Sequence, residues 1–261
     1  MTVDRLQLAT DLARRAGEML LAGYGDPGEV RTKSTTVDLV TQYDLESEAF
    51  LLAEIHAAFP QDAVLSEETG PQGSGNHCWV IDPLDGTTNF AHALPIFSVS
   101  IACLRAGEPA LGVVYAPVLG ELFSASSDGP AQLNGDPIEV SSQDNLGSAL
   151  MVTGFPYDVR QRPDNNLDHY RGFALRTLGV RRLGSAALDL CYVAAGRFDG
   201  YWEVETHPWD FAAGALIAQR AGALVSQING RPPSWRQSCS IVASNPGLHP
   251  KILEQLARPA V

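Results

Sequence analysis

The run Trp79-Val80-Ile81, followed at once by Asp82-Pro83-Leu84-Asp85-Gly86-Thr87-Thr88-Asn89-Phe90, constrains this chain more than any other stretch. Its three apolar residues predict a short buried strand. Pro83 fixes its own φ and restricts Asp82 before it, so the strand exit is stiff. Asp82 and Asp85, three apart in a tight turn, then point the same way and suit a hard cation beside an anion. Gly86 permits close backbone approach. If a helix starts there, the N–H groups of Gly86, Thr87 and Thr88 are donors for phosphate oxygens. The competing reading of these residues alone is a polar turn in which Asp85-Gly86 reverses the chain.

Two further segments add acids at element ends. Ser66-Glu67-Glu68-Thr69-Gly70 follows the apolar Ala63-Val64-Leu65, so a carboxylate pair again sits at a strand end, although solvated surface explains a lone Glu-Glu equally. Pro208-Trp209-Asp210-Phe211-Ala212-Ala213-Gly214 begins a small-residue helix, and a strand follows near residues 223–225. Asp210 at that helix start either caps it or faces a ligand. Glu67, Asp82, Asp85 and Asp210 offer only oxygen, with no histidine at ligand spacing, and such a set selects magnesium or manganese over zinc.

A chain of 261 residues with 45% apolar side chains can fill a sizeable core. Its 18 basic and 30 acidic residues give a net charge of −12, which repels nucleic acid and anionic membrane. Arg171, Arg176, Arg181 and Arg182 form the nearest basic patch, and a solvated or interface face accounts for it. Cys78, Cys103, Cys191 and Cys239 are widely spaced, suggesting neither zinc nor a redox pair, and Cys103 and Cys191 read as buried thiols. The N-terminal stretch reads as a charged amphipathic helix and no apolar run approaches 18 residues, so a cytoplasmic protein without a membrane segment is expected.

Apolar spacing predicts a first helix through Leu6, Ala9, Ala13, Ala16 and Leu20, closed by Gly23. A second helix is predicted with Leu45, Ala49, Leu52, Ile55 and Phe59 on its core face, ended by Pro60. Runs at 96–104, 110–115 and 121–126 predict an antiparallel meander, followed by an Asn134-Gly135 turn and a strand at 137–140. Residues 141–145 read as a connector. Beyond it strand and helix alternate: strands near 149–153, 180–183, 200–204, 223–225 and 240–243, and helices near 167–177, 185–195, from Trp209, and after Pro250. One domain over 1–261, with a soft internal division near 141–147, is expected.

Taken together, these stretches resemble the inositol monophosphatase family of magnesium-dependent, lithium-sensitive sugar phosphatases. The likeness covers nearly the whole chain and rests on residues 79–90, 209–223, the Glu67-Glu68 pair and Lys33-Ser34-Thr35-Thr36-Val37-Asp38-Leu39-Val40-Thr41-Gln42-Tyr43-Asp44. The bacterial branch is the nearer, through Thr153-Gly154-Phe155-Pro156-Tyr157 and Arg181-Arg182-Leu183-Gly184-Ser185-Ala186-Ala187-Leu188-Asp189-Leu190. The resemblance implies a layered α+β/α/β fold, the αβαβα sandwich, and a homodimer. It implies two or three Mg2+ ions, with Mn2+ a possible substitute. Glu67, Asp82 and the Leu84 carbonyl would hold one ion, and Asp82, Asp85 and Asp210 a second.

It further implies a metal-activated water prepared by Glu67, Thr87 and Asp44, with Asp44 bonded to Thr87. Gly86, Thr87 and Thr88 would hold the phosphate. Asp85, Arg181, Gly184, Ser185, Ala186 and Glu203 would meet the alcohol, and Lys33 would lie near the metals. For Asp44, capping the second helix competes with this role. His92, His207, Trp79 and Trp209 read as structural. Arg220 stands where relatives commonly carry an acid, which bears on local packing rather than on the reaction.

The reaction implied is hydrolysis of a small phosphate ester, myo-inositol 1-phosphate and related sugar phosphates, to the alcohol and phosphate. Fructose 1,6-bisphosphate, a 3′,5′-bisphosphonucleotide or histidinol phosphate would use the same chemistry. A bisphosphate needs a second cationic pocket, for which Arg160, Arg162 and Arg171 are candidates. A non-catalytic partner in transcription or RNA processing is the third reading.

Overall fold

The computed structural model describes residues 4–33, 35 and 38–258; Ser34, Thr36 and Val37 of the Lys33 to Asp44 signature lie outside the described residues. Helix α1 (Arg5–Gly23) is capped by the Asp4 carboxylate and buries Ala9, Leu12, Ala13, Ala16 and Leu20, the spacing expected of one helix face. A hairpin of β1 (Val30–Thr32) and β2 (Leu39–Thr41), too short and exposed to show in the apolar pattern, leads to α2 (Gln42–Ala58). The expected face of α2 is corrected. Leu45 and Ala49 are exposed, and the buried residues are Asp44, Ser47, Glu48, Leu51 and Ile55.

The chain continues through β3 (Ala63–Ser66), β4 (Gly70–Gln72), β5 (His77–Asp85), α3 (Thr87–Ala91), β6 (Ser98–Arg105), β7 (Glu108–Ala116) and β8 (Glu121–Ser126). The strand expected at 137–140 shrinks to a hairpin of β9 (Gln132–Leu133) and β10 (Asp136–Pro137), and the Val140 N–H bonds instead to Ala221 O. These strands form one sheet in the order β10-β9-β8-β7-β6-β5-β3-β4, antiparallel except for β3 beside β5. The meander is as expected. The second half supplies β11 (Leu150–Thr153), α4 (Leu167–Ala174), β12 (Gly179–Arg181), α5 (Ala186–Ala194), β13 (Gly200–Thr206), α6 (Pro208–Arg220), β14 (Leu224–Ser226), β15 (Cys239–Ser244) and α7 (His249–Leu256). Its sheet runs β12-β11-β13-β15-β14.

Alternation along the strands explains the layering. In β5, Trp79 and Ile81 face α1 and α2, while Cys78 and Val80 face α5 and α6 on the other side. In β13, Tyr201 faces the middle layer and Trp202 the outer one, where its ring stacks on Phe173 at 4.1 Å. Burying either tryptophan contributes about 2–3 kcal/mol. The result is helix, sheet, helix, sheet, helix: α1 and α2, the eight strands, α5 and α6, the five strands, then α4 and α7. Small residues let the middle layer close up. A Cβ on Gly112 would lie 2.7 Å from Ala213 O, and one on Gly214 would lie 2.8 Å from Leu190 Cβ. No helix among the described residues is long and apolar enough to cross a membrane.

Candidate active site

The C-terminal end of β5 carries both aspartates, but not in the tight turn that the sequence suggested. The strand runs on to Asp85 and bulges: Asp82 opposes Ser100 and Asp85 opposes Ser98, three steps against two. Pro83, which has no N–H for the ladder, sits in that bulge, and its carbonyl accepts from Ser47 Oγ at 3.0 Å. Gly86 then turns left-handed at φ 100° and caps α3. A Cβ there would crowd Ile96 O and Gly184 O at 3.0 and 3.2 Å.

The cleft beyond this bulge has a volume of about 610 Å³. Glu67, Asp82, Leu84, Asp85 and Asp210 all line it, with Gly86 and Thr87 beside them and Lys33 and Asp38 at the same end. Lys33 Nζ donates to Glu67 Oε1 at 2.6 Å and pairs also with Glu68. Burial works against the Lys33 ammonium, yet the two carboxylates outweigh it and hold its pKa above the usual value. Asp82 Oδ1 accepts the Leu84 N–H at 2.9 Å. Burial first, then the charges of Glu67, Asp85 and Asp210, pushes Asp82 well above the ordinary carboxylate range.

Asp85 crosses a hundred residues of sequence to cap α5. It accepts from Ser185 Oγ at 2.6 Å, from the Ala187 N–H at 2.9 Å and from the Ala186 N–H at 3.2 Å. Burial outweighs these bonds and raises it to about 6. Asp210 accepts the His207 N–H at 2.7 Å in a capping box at the start of α6, and burial holds it well above its usual value. Cap and ligand are thus compatible positions for both.

Behind the cleft, Thr87 Oγ1 lies 2.9 Å from Asp44 Oδ1 and 3.1 Å from Leu84 O, either of which can take its proton. Asp44 also accepts from Thr41 Oγ1 and N–H at 2.6 and 2.7 Å, closing the capping box of α2. Both readings of Asp44 therefore hold geometrically. Burial raises it to about 6 against those three bonds. Glu48, one turn on, accepts the N–H groups of Glu68 and Thr69 at 3.0 and 3.2 Å and so holds the Glu67 loop onto α2.

Gly184, Ser185 and Ala186 line the cleft beside Asp85 and Gly86, and Glu203 lines the same cleft. Glu203 accepts from Tyr201 Oη at 2.7 Å, and burial raises it to about 7 despite that bond and Arg182. Two expected residues fall elsewhere. Arg181 is exposed and outside the cleft lining, where Arg182 stands instead, because neighbours in an extended segment point to opposite sides. Thr88 is likewise exposed and outside it, whereas Thr87 is buried. His207 and Trp209, expected to be structural only, stack on each other at 4.8 Å and line the rim. Trp79 stays in the core and donates to Asp62, and His92 ends α3 at the surface. Tyr157, Asp158 and Arg162 overhang the cleft. Asp38, Glu48, Arg182 and Asp189 were assigned no role from sequence; only the i,i+4 step from Asp44 to Glu48 and from Ser185 to Asp189 signals two of them.

The donor chemistry fits a hard divalent ion: four carboxylates and one carbonyl, all oxygen, several buried with raised pKa values that a cation would reverse. Among the described residues no three acids are drawn into a formed coordination sphere. Glu67, Asp82, Asp85 and Asp210 are held by Lys33 and by N–H and hydroxyl donors.

A bulged strand and two helix starts converge acids on one cleft, with an αβαβα layering behind them. The inositol monophosphatase family model matches residues 3–259, and the chain belongs to that family. It is similar to an inositol-1-monophosphatase of Synechocystis, 42% identical over 97% of this chain and 88% of that protein. It is also 45% identical to the Nus factor SuhB of Pseudomonas aeruginosa, over 92% of this chain and 91% of that protein. A solved inositol monophosphatase from Anabaena superposes with a TM-score of 0.89 at 40% identity, covering 98% of this chain and 96% of that one.

Proposed function

We propose that this phosphatase hydrolyses phosphate monoesters of polyols, myo-inositol 1-phosphate among them, with Mg2+ held by Glu67, Asp82, the Leu84 carbonyl, Asp85 and Asp210. The observation that carries the reading is one cleft lined by Glu67, Asp82, Asp85 and Asp210 together with Glu203, a buried hydroxyl acceptor. When bound, Mg2+ would neutralise charge on the phosphoryl oxygens and leaving alkoxide and acidify a water. The remaining work falls to the chain. Thr87, its proton shared with Asp44 and Leu84 O, orients a water from its free lone pair. Gly86 brings backbone close to the phosphoryl group, Ser185 holds Asp85 in place, and Glu203 accepts a hydroxyl of the alcohol. Mn2+ would substitute, and Li+ would compete at the Asp82, Asp85 and Asp210 position.

A bisphosphate would need a second cationic pocket. Arg162 is the cation at the overhang, but it is paired with Glu205 and Asp158, which argues against that reading. Phosphate release from myo-inositol 1-phosphate, fructose 1,6-bisphosphate, a 3′,5′-bisphosphonucleotide and histidinol phosphate tests the choice. The inositol ester should give the highest kcat/KM; a bisphosphate ahead of it would overturn the assignment.

The Nus factor name of a relative 45% identical to this chain favours a second role beside catalysis, as a transcription partner. A transcription complex retained on Asp82→Asn protein would support it, and no retention on either form would reject it. As a homodimeric cytoplasmic enzyme the protein would sediment at twice its 27.9 kDa chain mass.

A further inference from the structure

Between β11 and α4 the chain makes a strap, residues 154–165, whose two ends are clasped together. Asn166, 1% exposed, donates from Nδ2 to Thr153 Oγ1 at 2.9 Å and to Gly154 O at 2.6 Å, and its Oδ1 accepts from Trp202 Nε1 at 2.7 Å. Farther along, Arg162 pairs with Asp158 of the strap and with Glu205 of β13. Between clasp and ion pair, Pro156 is buried and its carbonyl accepts the Val159 N–H at 3.0 Å. Tyr157 therefore takes the second position of a tight turn and is carried over the cleft that it lines. Compact loops with joined ends hold their side chains in place.

Tyr157 is 50% exposed, and no hydrogen bond engages its hydroxyl among the described residues. The other donors around the acids are committed: Lys33 to Glu67 and Glu68, Ser185 to Asp85, Thr87 to Asp44 or Leu84 O. Burial first, then the charges of Glu67, Asp210, Asp82 and Asp38, keeps the phenol protonated, and those four charges set its hydroxyl over the acids around Asp82. Were cations to offset the charges, a phenol near its ordinary pKa of about 10 would still keep its proton at neutral pH. A phosphoryl dianion brought among carboxylates needs donors that carry no negative charge, and a hydroxyl on a charged oxygen makes one of the stronger hydrogen bonds. We infer that the Tyr157 hydroxyl donates a hydrogen bond to a phosphoryl oxygen of the substrate, so that the strap and the Gly86 turn together form the phosphate pocket. The inference rests on the phosphatase reading and adds a phosphate-binding residue to it. Because every ester shares the phosphoryl group, the contact is blind to the alcohol, and it persists on the product, inorganic phosphate.

Tyr157→Phe removes the hydroxyl and keeps the ring. The test measures kcat/KM for myo-inositol 1-phosphate and for phenyl phosphate, which lacks hydroxyls, the Ki of inorganic phosphate at fixed Mg2+, and the melting temperature. The variant should lower kcat/KM about tenfold on both esters, keep their ratio within about twofold, and raise the phosphate Ki about tenfold at an unchanged melting temperature. Calorimetric titration of inorganic phosphate into the Mg2+-loaded protein reads the same contact without turnover, and the variant should bind about tenfold more weakly. A loss confined to the inositol ester would assign Tyr157 to the alcohol and overturn the inference. So would a phosphate affinity equal to that of wild type, whether or not the melting temperature falls, because Tyr157 would then be only a structural part of the strap. Wild type inactive on both esters with Mg2+ present would instead remove the phosphatase reading, and the phosphate contact with it.

Discussion

Two parts of the cleft are built differently. Around Asp82, acids stand in a web of donors: Lys33 on Glu67, the Leu84 N–H on Asp82, Ser185 and two N–H groups on Asp85, the His207 N–H on Asp210. Glu203 accepts from the hydroxyl of Tyr201. Fixed donors preorganise charge for a step in which charge develops. On this account the first part performs the reaction and Glu203 chooses the alcohol.

If so, damage at the two parts should differ in kind. Asp82→Asn should cost the most, at least a thousandfold in kcat on every ester, about 4 kcal/mol of transition-state stabilisation. Near-normal turnover by folded mutant protein would reject the division outright. Thr87→Ala, which breaks the link to Asp44, should lower kcat roughly a hundredfold with KM little changed; a KM effect alone would move Thr87 to the binding side.

Glu203→Gln should act on the inositol ester about tenfold more than on phenyl phosphate, equivalent to about 1.4 kcal/mol. Equal losses on both would mean that Glu203 does not read the alcohol. The same variant sharpens the contrast through pH. Glu203 is raised from 4.5 to about 7 by burial, so the folded protein holds its proton more tightly than the unfolded chain. That contribution is complete below pH 4.5 and is lost as pH rises towards 7. Melting curves of metal-free wild type should therefore fall across this window, and Glu203→Gln should make the fall shallower. An unchanged slope would place the titration elsewhere.

Helix α1 was legible because its neighbours are apolar, so period and burial agree. Helix α2 was not. Its buried Asp44, Ser47 and Glu48 face the loops and bulge that carry the acids, and a search for an apolar stripe selects the opposite, exposed Leu45 and Ala49. The acids themselves were legible as a set through the resemblance, but not their geometry. The bulge at Pro83 replaces the imagined turn, and a one-residue step separates Arg181, outside the cleft lining, from Arg182 within it. Tyr157 gave no signal of a role because its place over the cleft depends on the fold of the 154–165 strap, which spacing cannot supply.

Since α5 and α6 pack on both sheets, we propose that residues 1–261 form one folding unit, with the division near 141–147 only a connector. One calorimetric transition is expected, and two resolved ones would argue for separable halves.

The central claim, that the acids around Asp82 work by holding magnesium, is tested most directly by steady-state hydrolysis of myo-inositol 1-phosphate after chelation, with Mg2+ restored and Li+ then titrated against a Na+ control. The account predicts no turnover without metal, recovery with Mg2+, and inhibition by Li+ beyond the Na+ effect. Full activity in metal-free buffer would contradict it.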